Sequence, residues 1–209
     1  MKMLIATGNK GKIKEFREML GADRFQWSDL GEHREIVPAE ETGETFRDNA
    51  CIKATYYATQ LNTWALADDS GLEVDALDCK PGVHSARWAE INSAGKGDAD
   101  NNALLLRQLD AVPDDRRTAR FVCVLALANP AGQILLTVRD SVQGRILRAP
   151  RGTNGFGYDP LFYFDDLDCT TAQLPPEKKH QISHRGKALR KMRELMDPLD
   201  LSGKCEGER

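Results

Sequence analysis

The sequence predicts an α/β fold with a mixed β-sheet. The N-terminal segment has the pattern of a buried strand, a glycine-containing turn and an amphipathic helix, which is the basic unit of α/β proteins. Residues 118–128 and 133–142 have the pattern of apolar strands joined by the turn-forming sequence NPAG, which predicts an antiparallel hairpin. A sheet that contains both arrangements must be mixed.

Hydrophobic spacing predicts the elements of the first half of the chain. Residues 3–7 (MLIAT) form a short apolar run before GNKG, and the apolar residues of KIKEFREML then recur at helical spacing. A longer helix is expected over residues 42–61, capped by Thr42 or Gly43, because apolar residues recur near a 3.6-residue period. The run WALADDS is expected to be a buried strand that ends at its acidic residues, with Gly71 in the following turn.

The second half continues this organisation. Asp98 or Asp100 is expected to begin a helix, and Ser183 is expected to cap the last helix. Residues 1–201 are predicted to form a single domain, because the chain is long enough for one sizeable core and contains no linker or repeat. Residues 202–209 are expected to be a frayed tail.

Composition and charge exclude several classes of protein. A net charge of −3 argues against non-specific electrostatic binding of nucleic acid polymers. The five cysteines form no C-x-x-C pair and no zinc-type cluster, so reduced thiols are expected. No stretch approaches the roughly 20 apolar residues that a membrane-spanning helix needs. We therefore expect a soluble cytoplasmic protein that does not bind membranes.

Polar segments at predicted element ends are candidates for a ligand site, because α/β folds bind ligands there. The first is TGNKGK, where backbone N–H groups at a helix start and two lysines could hold a phosphate. It is not a P-loop, which would need glycine at Ala6 and Ser or Thr at Ile13. The alternative is a simple turn with solvated lysines.

Two further segments carry carboxylates. Glu40 and Glu41 precede the long helix, where capping electrostatics alone could explain them, and Lys53 within that helix is expected to extend to water. Asp68 and Asp69 are neighbours in a strand and should point to opposite faces with different roles. One could bind a metal or activate water, and Mg²⁺ is the natural cation because it needs only one or two carboxylates beside substrate phosphates. The alternative is a structural turn.

The last two segments suit recognition of a base. RGTNGFGYDP places glycines on both sides of Phe156, which would present the ring for stacking on a planar base; the alternative is a β-bulge with the ring in the core. EKKHQISHRGK gathers cations around a helix start, where they oppose the helix dipole and suit an anionic or keto-rich ligand; the alternative is a solvated face. Together these segments describe a nucleotide pocket.

An ordered set of motifs runs through the chain: TGNKGK, EETGETFRDNA with Lys53, ADDSGL, SARW, GFGYDP and ISHRGKA. From about residue 3 to residue 197, this set closely resembles the inosine/xanthosine triphosphate pyrophosphatase family. The resemblance implies an elongated α/β fold of two lobes, with a long mixed sheet flanked by helices, a central substrate cleft and usually a homodimer. It also implies Mg²⁺-dependent hydrolysis of ITP, dITP and XTP to a nucleoside monophosphate and pyrophosphate, which cleanses the nucleotide pool.

The resemblance assigns roles to the residues that match the motifs. Glu41 and Asp69 would hold Mg²⁺, Asp69 would act as general base, and Lys53 would serve the phosphates. Beside the dication, Asp69 is expected to keep a low pKa. The substrate would be bound by Thr7, Gly8, Asn9, Lys10, Gly11, Lys12 and Ser70, and at the base and sugar by Phe156, Gly157, Tyr158, Asp159, Lys179, His184 and Arg185.

Two other functions remain open at this point. A Maf-like pyrophosphatase would prefer other modified or pyrimidine nucleotides, and a nucleotide-sensing module would bind its ligand without hydrolysis. The polar segment over residues 88–102 has no assigned role.

Overall fold

The computed structural model describes residues 2–20 and 25–199. The tail that was expected to be frayed, residues 202–209, lies outside the described residues. The strands are β1 (Lys2–Ala6), β2 (Gln26–Asp29), β3 (Trp64–Val74), β4 (Lys80–Pro81), β5 (Thr118–Ala128), β6 (Ile134–Ile146), β7 (Phe162–Phe164) and β8 (Cys169–Thr170). The helices are α1 (Lys10–Leu20), α2 (Phe46–Leu61), α3 (Trp88–Ile91), α4 (Asp98–Gln108), α5 (Pro176–Ile182) and α6 (His184–Met196).

The strands form one mixed sheet in the order β2-β1-β3-β5-β6-β7-β8, with β4 also paired to β3. β1 lies parallel to β2 and β3, whereas β3, β5, β6, β7 and β8 pair antiparallel in turn. The hairpin reverses at NPAG, where the Gly132 N–H donates to the Asn129 carbonyl over 2.8 Å. The predicted mixed sheet and its hairpin are both confirmed.

Separate apolar cores divide the molecule into two lobes. In the first lobe, one face of the sheet packs on α1 and α6, and the other face packs on α2. In the second lobe, the far halves of β3 and β5 pack with α4 and β7. β3 leaves the first lobe at Ala67 and enters the core of the second at Leu72. Residues 68–71 therefore lie on the boundary between the lobes, and the predicted two-lobed architecture is confirmed.

β3 does not end at its acidic pair, and Gly71 is not in a turn. The strand continues to Val74 because β5 pairs with it without interruption from Ala65 to Val74. Side chains such as Asp68 and Asp69 therefore occupy a regular strand, with their backbone groups paired to β5. The prediction of a strand end was wrong because a polar strand interior resembles a loop in sequence.

The long helix begins later than predicted. α2 starts at Phe46, and its N-cap is Thr45, whose side chain accepts a hydrogen bond from the Asp48 N–H over 3.1 Å. The predicted caps, Thr42 and Gly43, lie in the coil before the helix. That coil carries Glu41 towards the lobe boundary, so the later start matters for the site.

The other helix predictions agree with the structure. α4 begins at Asp98, and Ser183 caps α6 by accepting from the Gly186 N–H over 3.1 Å.

The described cysteines are free thiols. In the part of the chain that the structure describes, no helix has the length and apolar character to cross a membrane.

Candidate active site

A cleft opens at the lobe boundary, and most of the predicted site residues line it. They come from α1 and the loop before it, α2 and the coil before it, the middle of β3, the loop before β7, and helices α5 and α6. The predicted residues in the lining are Thr7, Gly8, Asn9, Lys12, Glu41, Lys53, Asp69, Ser70, Phe156, Gly157, Tyr158, Asp159, Lys179, His184 and Arg185.

Lys10 and Gly11 are the predicted residues that do not line this cleft. Lys10 lies in a separate groove with Lys14 and Arg17 on another side of α1. Gly11 is covered by the ring of Phe156, and a Cβ atom at this position would lie 2.6 Å from the ring. Gly11 therefore permits the close approach of the ring rather than offering its own surface to the cleft.

The loop before α1 is organised by Asn9. Its side-chain oxygen accepts from the Lys12 N–H over 3.1 Å, and its carbonyl accepts from the Ile13 N–H over 3.0 Å. Asn9 thus acts as the N-cap of α1, whose positive dipole end is directed at the cleft. Such a helix start suits a phosphate.

Lys53 joins two carboxylates at one end of the cleft. Its Nζ donates to Asp69 Oδ1 over 2.7 Å and lies 3.1 Å from Glu41 Oε1. Ala50 and Ala54, on either side of Lys53 in α2, are fully buried against the sheet, so the helix backbone lies close to β3. The expectation that Lys53 extends to water was wrong, because the two carboxylates compensate the burial of its charge.

Asp69 keeps one oxygen free. Its Oδ2 is buried and has no hydrogen-bond partner among the described residues. Burial raises the pKa of Asp69 although Lys53 and Lys12 lower it, and the nearby Glu41 raises it further. The expected low pKa assumed a neighbouring dication, and the protein groups alone shift the pKa in the opposite direction.

These two carboxylates fit a small, hard cation. The free Asp69 oxygen lacks a donor, and Glu41 supplies a second carboxylate at the same Lys53 Nζ. Among the described residues, no group of three or more His, Cys, Asp or Glu side chains is arranged to hold a metal. One or two carboxylates are a donor set of the kind that Mg²⁺ uses when water and phosphate oxygens complete its coordination.

Asp68 has a different environment, as its position on the opposite face of β3 predicts. Lys12 forms an ion pair with it, and the Arg185 Nε donates to it over 3.1 Å. Burial alone would raise the pKa of Asp68. The opposing effect of Arg185 and Lys12 is larger, so the pKa lies well below the ordinary range. Asp68 is therefore a fully paired structural anion.

Glu15 is a central residue that the sequence analysis missed. This buried side chain on α1 accepts from Arg185 Nη1 over 2.5 Å and from Lys179 Nζ over 2.7 Å. Burial raises its pKa, but Arg185 and Lys179 lower it to a net value of about 2. Two of the predicted cations around the start of α6, Lys179 and Arg185, are thus neutralised by anions from distant segments, which explains how they tolerate the helix dipole.

The same two cations hold further groups of the cleft. Lys179 also donates to Asp159 over 2.7 Å, and Arg185 donates to Ser70 Oγ over 2.6 Å. Asp159 in turn accepts from the Phe156 N–H over 2.9 Å. Lys has three N–H donors and Arg has five, so these contacts leave N–H groups on both residues for a ligand.

Phe156 lies in the loop between β6 and β7, outside any described strand, so the β-bulge alternative is wrong. Its half-buried ring has Lys179 Nζ 4.8 Å and Arg185 Cζ 5.7 Å from its centroid. His184 stacks on Phe121 with 4.9 Å between ring centroids, and its buried Nδ1 has no partner among the described residues. Burial, helped by Arg185, lowers the pKa of His184 well below its ordinary value, so this imidazole is neutral.

Several lining residues were not predicted as site residues: Gly71, Val83, Ser85, Ala86, Asp98 and Phe121. Ser85 and Ala86 belong to the motif SARW, and this motif could have indicated them as site residues. Asp98 had been recognised only as a helix start.

Comparisons with known proteins agree with this architecture. The model of the Ham1 family matches residues 3–195. A protein of Desulforamulus reducens named dITP/XTP pyrophosphatase is 51% identical, over 95% of this chain and 97% of its own length. A relative of the same name from Exiguobacterium sibiricum is 50% identical, over 92% and 95%. The solved structure of a HAM1 protein from Coxiella burnetii is 40% identical, with a TM-score of 0.84 over 95% of this chain and 100% of that one. The chain therefore belongs to the Ham1 family.

Proposed function

We propose that this protein hydrolyses ITP, dITP and XTP to the nucleoside monophosphate and pyrophosphate. The names of its relatives support this substrate class. The observation that carries the proposal is that one cleft holds two chemically different groups of side chains. Glu41, Lys53 and Asp69 form one group, and Phe156 forms the other with the anchored cations Lys179 and Arg185.

The phosphates would bind between the start of α1 and Lys53. Gly8 would offer its backbone N–H and Lys12 its cation to the polyanion, beside Thr7 and Asn9 in the same lining. Lys53 would offer a second cation that Asp69 and Glu41 already hold in place. Because both lysines are fixed by ion pairs, little side-chain freedom would be lost when the substrate binds.

Glu41 and Asp69 would hold Mg²⁺. When bound, the ion would neutralise charge that develops on the phosphate oxygens. Asp69 would orient the attacking water and accept its proton, and Oδ2, the oxygen that lacks a partner, is the atom open to the ion or to that water. Lys53 would keep Asp69 in place through Oδ1. A pure binding module has no need of such an oxygen, which favours hydrolysis over nucleotide sensing.

Selection for the base would come from the N–H groups that Lys179 and Arg185 retain. A 6-keto purine presents an acceptor where adenine presents an amino donor. Carboxylates hold both cations, so these side chains cannot readily move away from the amino group of a bound adenine, which would face their N–H donors. A site built to make such a hydrogen bond can discriminate by a factor of roughly 10⁴.

A panel of ITP, dITP, XTP, GTP, ATP and pyrimidine triphosphates tests the proposal, with Mg²⁺ and with chelator. Pyrophosphate and orthophosphate should be assayed separately. We expect metal-dependent pyrophosphate from ITP, dITP and XTP, with little from ATP or GTP. Guanine shares the 6-keto group, so its exclusion must come from crowding around the 2-amino position. Orthophosphate as the direct product would contradict the proposal, and preference for pyrimidine nucleotides would favour the Maf-like alternative. The homodimer and the cytoplasmic location stay predictions, and light scattering in solution would check the first.

A further inference from the structure

The segment over residues 88–102 had no role in the sequence analysis. It folds as α3 and the first turn of α4, next to the second-lobe side of the cleft. Asp98, the first residue of α4, lines the cleft. This turn touches two walls of the site through side chains that bond to backbone groups.

Asp98 and Asn102 hold the loop that carries Phe156. Asp98 Oδ2 accepts from the Gly157 N–H over 2.6 Å, and Asn102 Nδ2 donates to the Gly157 carbonyl over 2.8 Å. Both polar backbone groups of the residue after Phe156 are therefore bonded to one helical turn. A carboxylate acceptor makes the first of these bonds charge-assisted, and bonds of this kind are the stronger class.

Asn101 fixes the neighbouring wall from the same turn. Its side chain is buried, accepts from the Ala89 N–H over 2.7 Å and donates to the Ala86 carbonyl over 3.1 Å. The wall and the loop are also joined directly, because the Tyr158 hydroxyl donates to the Ser85 carbonyl over 2.9 Å. The first turn of α4 thus sets the position of the Phe156 loop relative to the SARW segment.

We propose that Asp98 and Asn102 are positioning residues that hold Phe156 in place for the base. The inference rests on the proposed function and deepens it. On the side of Lys179, the loop is anchored by Asp159, which accepts from the Phe156 N–H. Asp98 and Asn102 supply the anchor on the side of α4, so that the ring is held between two fixed points. Loss of this second anchor should lower the affinity for the base and leave the affinity for the phosphates unchanged.

Hydrogen exchange of the Gly157 amide tests the contact without any ligand. Removal of a charged acceptor should speed exchange in Asp98→Ala by roughly tenfold or more. Asp98→Asn keeps an oxygen acceptor and should restore part of the protection. Asp100→Ala is the matched control, because Asp100 lies in the same turn but accepts from the Lys96 N–H, away from the loop. Unchanged exchange in Asp98→Ala, or equal exchange in the control, would overturn the proposal.

Inhibition by two fragments of the substrate tests the consequence. In Asp98→Ala and Asn102→Leu, the inhibition constant of IMP should rise by roughly tenfold, while that of pyrophosphate should stay within about twofold. A structural defect alone would weaken both inhibitors together, and this result would overturn the positioning role. If the wild type neither hydrolyses ITP nor binds IMP, the proposed function fails, and the exchange of Gly157 still decides whether the anchor exists.

Discussion

The two adjacent aspartates of β3 differ in how fully they are paired. Asp68 is satisfied by Lys12 and Arg185, whereas Asp69 keeps a buried oxygen without a partner among the described residues. The alternation of a strand separates them onto opposite faces, so one sequence dipeptide supplies a structural anion and a reactive one. The chemical role proposed for Asp69 follows from this difference.

Replacement of Asp69 tests that role. Asp69→Asn preserves the size of the side chain but removes the proton acceptor, so turnover of ITP should fall roughly 10²- to 10⁴-fold. Binding of ITP should stay measurable by calorimetry, because the phosphate and base contacts persist. Asp75→Asn, at an exposed residue just beyond β3, is the control and should keep wild-type turnover. Near wild-type turnover in Asp69→Asn would show that another group activates the water.

The site residues that sequence reasoning could find are those in local motifs. Lys53, Asp69 and Phe156 each stand in a short segment with an unusual pattern. Glu15 and Asp98 gave no such signal, because their partners are remote. Glu15 lies 170 residues from Arg185, and Asp98 lies 59 residues from Gly157. Only the fold brings these pairs together.

At the scale of elements, β3 determines the geometry of the cleft. Its polar middle was predicted as a turn, and only pairing with β5 keeps it extended. On the other edge, β1 pairs with β3 up to Ala67, and β4 begins to pair at Glu73. Between them, Ser85 Oγ accepts from the Leu72 N–H over 2.8 Å. The SARW segment thus takes the place of a neighbouring strand beside Gly71 and Leu72.

Gly71 makes this close approach possible. A Cβ atom there would lie 2.3 Å from Ser85 Oγ and 2.6 Å from the Gly82 carbonyl oxygen. Gly71→Ala should force the two segments apart and destabilise the protein by about 1 to 3 kcal/mol, as overpacking does. Urea unfolding measures this cost. Gly8→Ala is the control, because a Cβ atom there meets nothing within 4 Å. Equal stability of Gly71→Ala and wild type would mean that the SARW segment moves freely.

At the scale of the whole molecule, the cleft exists because long strands run through two cores. The sequence predicted the mixed sheet from the hairpin and the first strand, since both signals are local. The two lobes followed only from the family resemblance, because hydrophobic spacing does not reveal which core a strand residue enters. Leu66 and Leu72 belong to the same strand but pack in different lobes.

A buried network of charges links distant parts of the fold. Glu15 on α1 binds Lys179 on α5 and Arg185 on α6, and Lys179 also binds Asp159 near the start of β7. The pKa of Glu15 falls from an ordinary 4.5 to about 2 on folding. The folded chain therefore binds this proton less readily than the unfolded chain. The resulting stabilisation is complete above the unfolded pKa and is lost as the pH falls towards the folded pKa.

Glu15→Gln should remove this pH dependence. The variant should be less stable than wild type at neutral pH, because it leaves Lys179 and Arg185 short of a buried anion. As the pH falls from 4.5 to about 2, the difference in free energy of unfolding between wild type and Glu15→Gln should narrow by roughly 3 kcal/mol, because wild-type Glu15 becomes protonated.

Urea unfolding at several pH values below 6 gives the slope of stability for each protein. Glu18→Gln is the matched control on the same helix, since Glu18 contacts Lys14 and His180 at the surface and does not touch the buried network. It should keep the wild-type slope. If the free energy of unfolding of Glu15→Gln changed with pH as steeply as that of wild type, the Glu15 anion would contribute nothing to joining α1, α5 and α6. The cations of the base site would then be positioned by Asp68 and Asp159 alone.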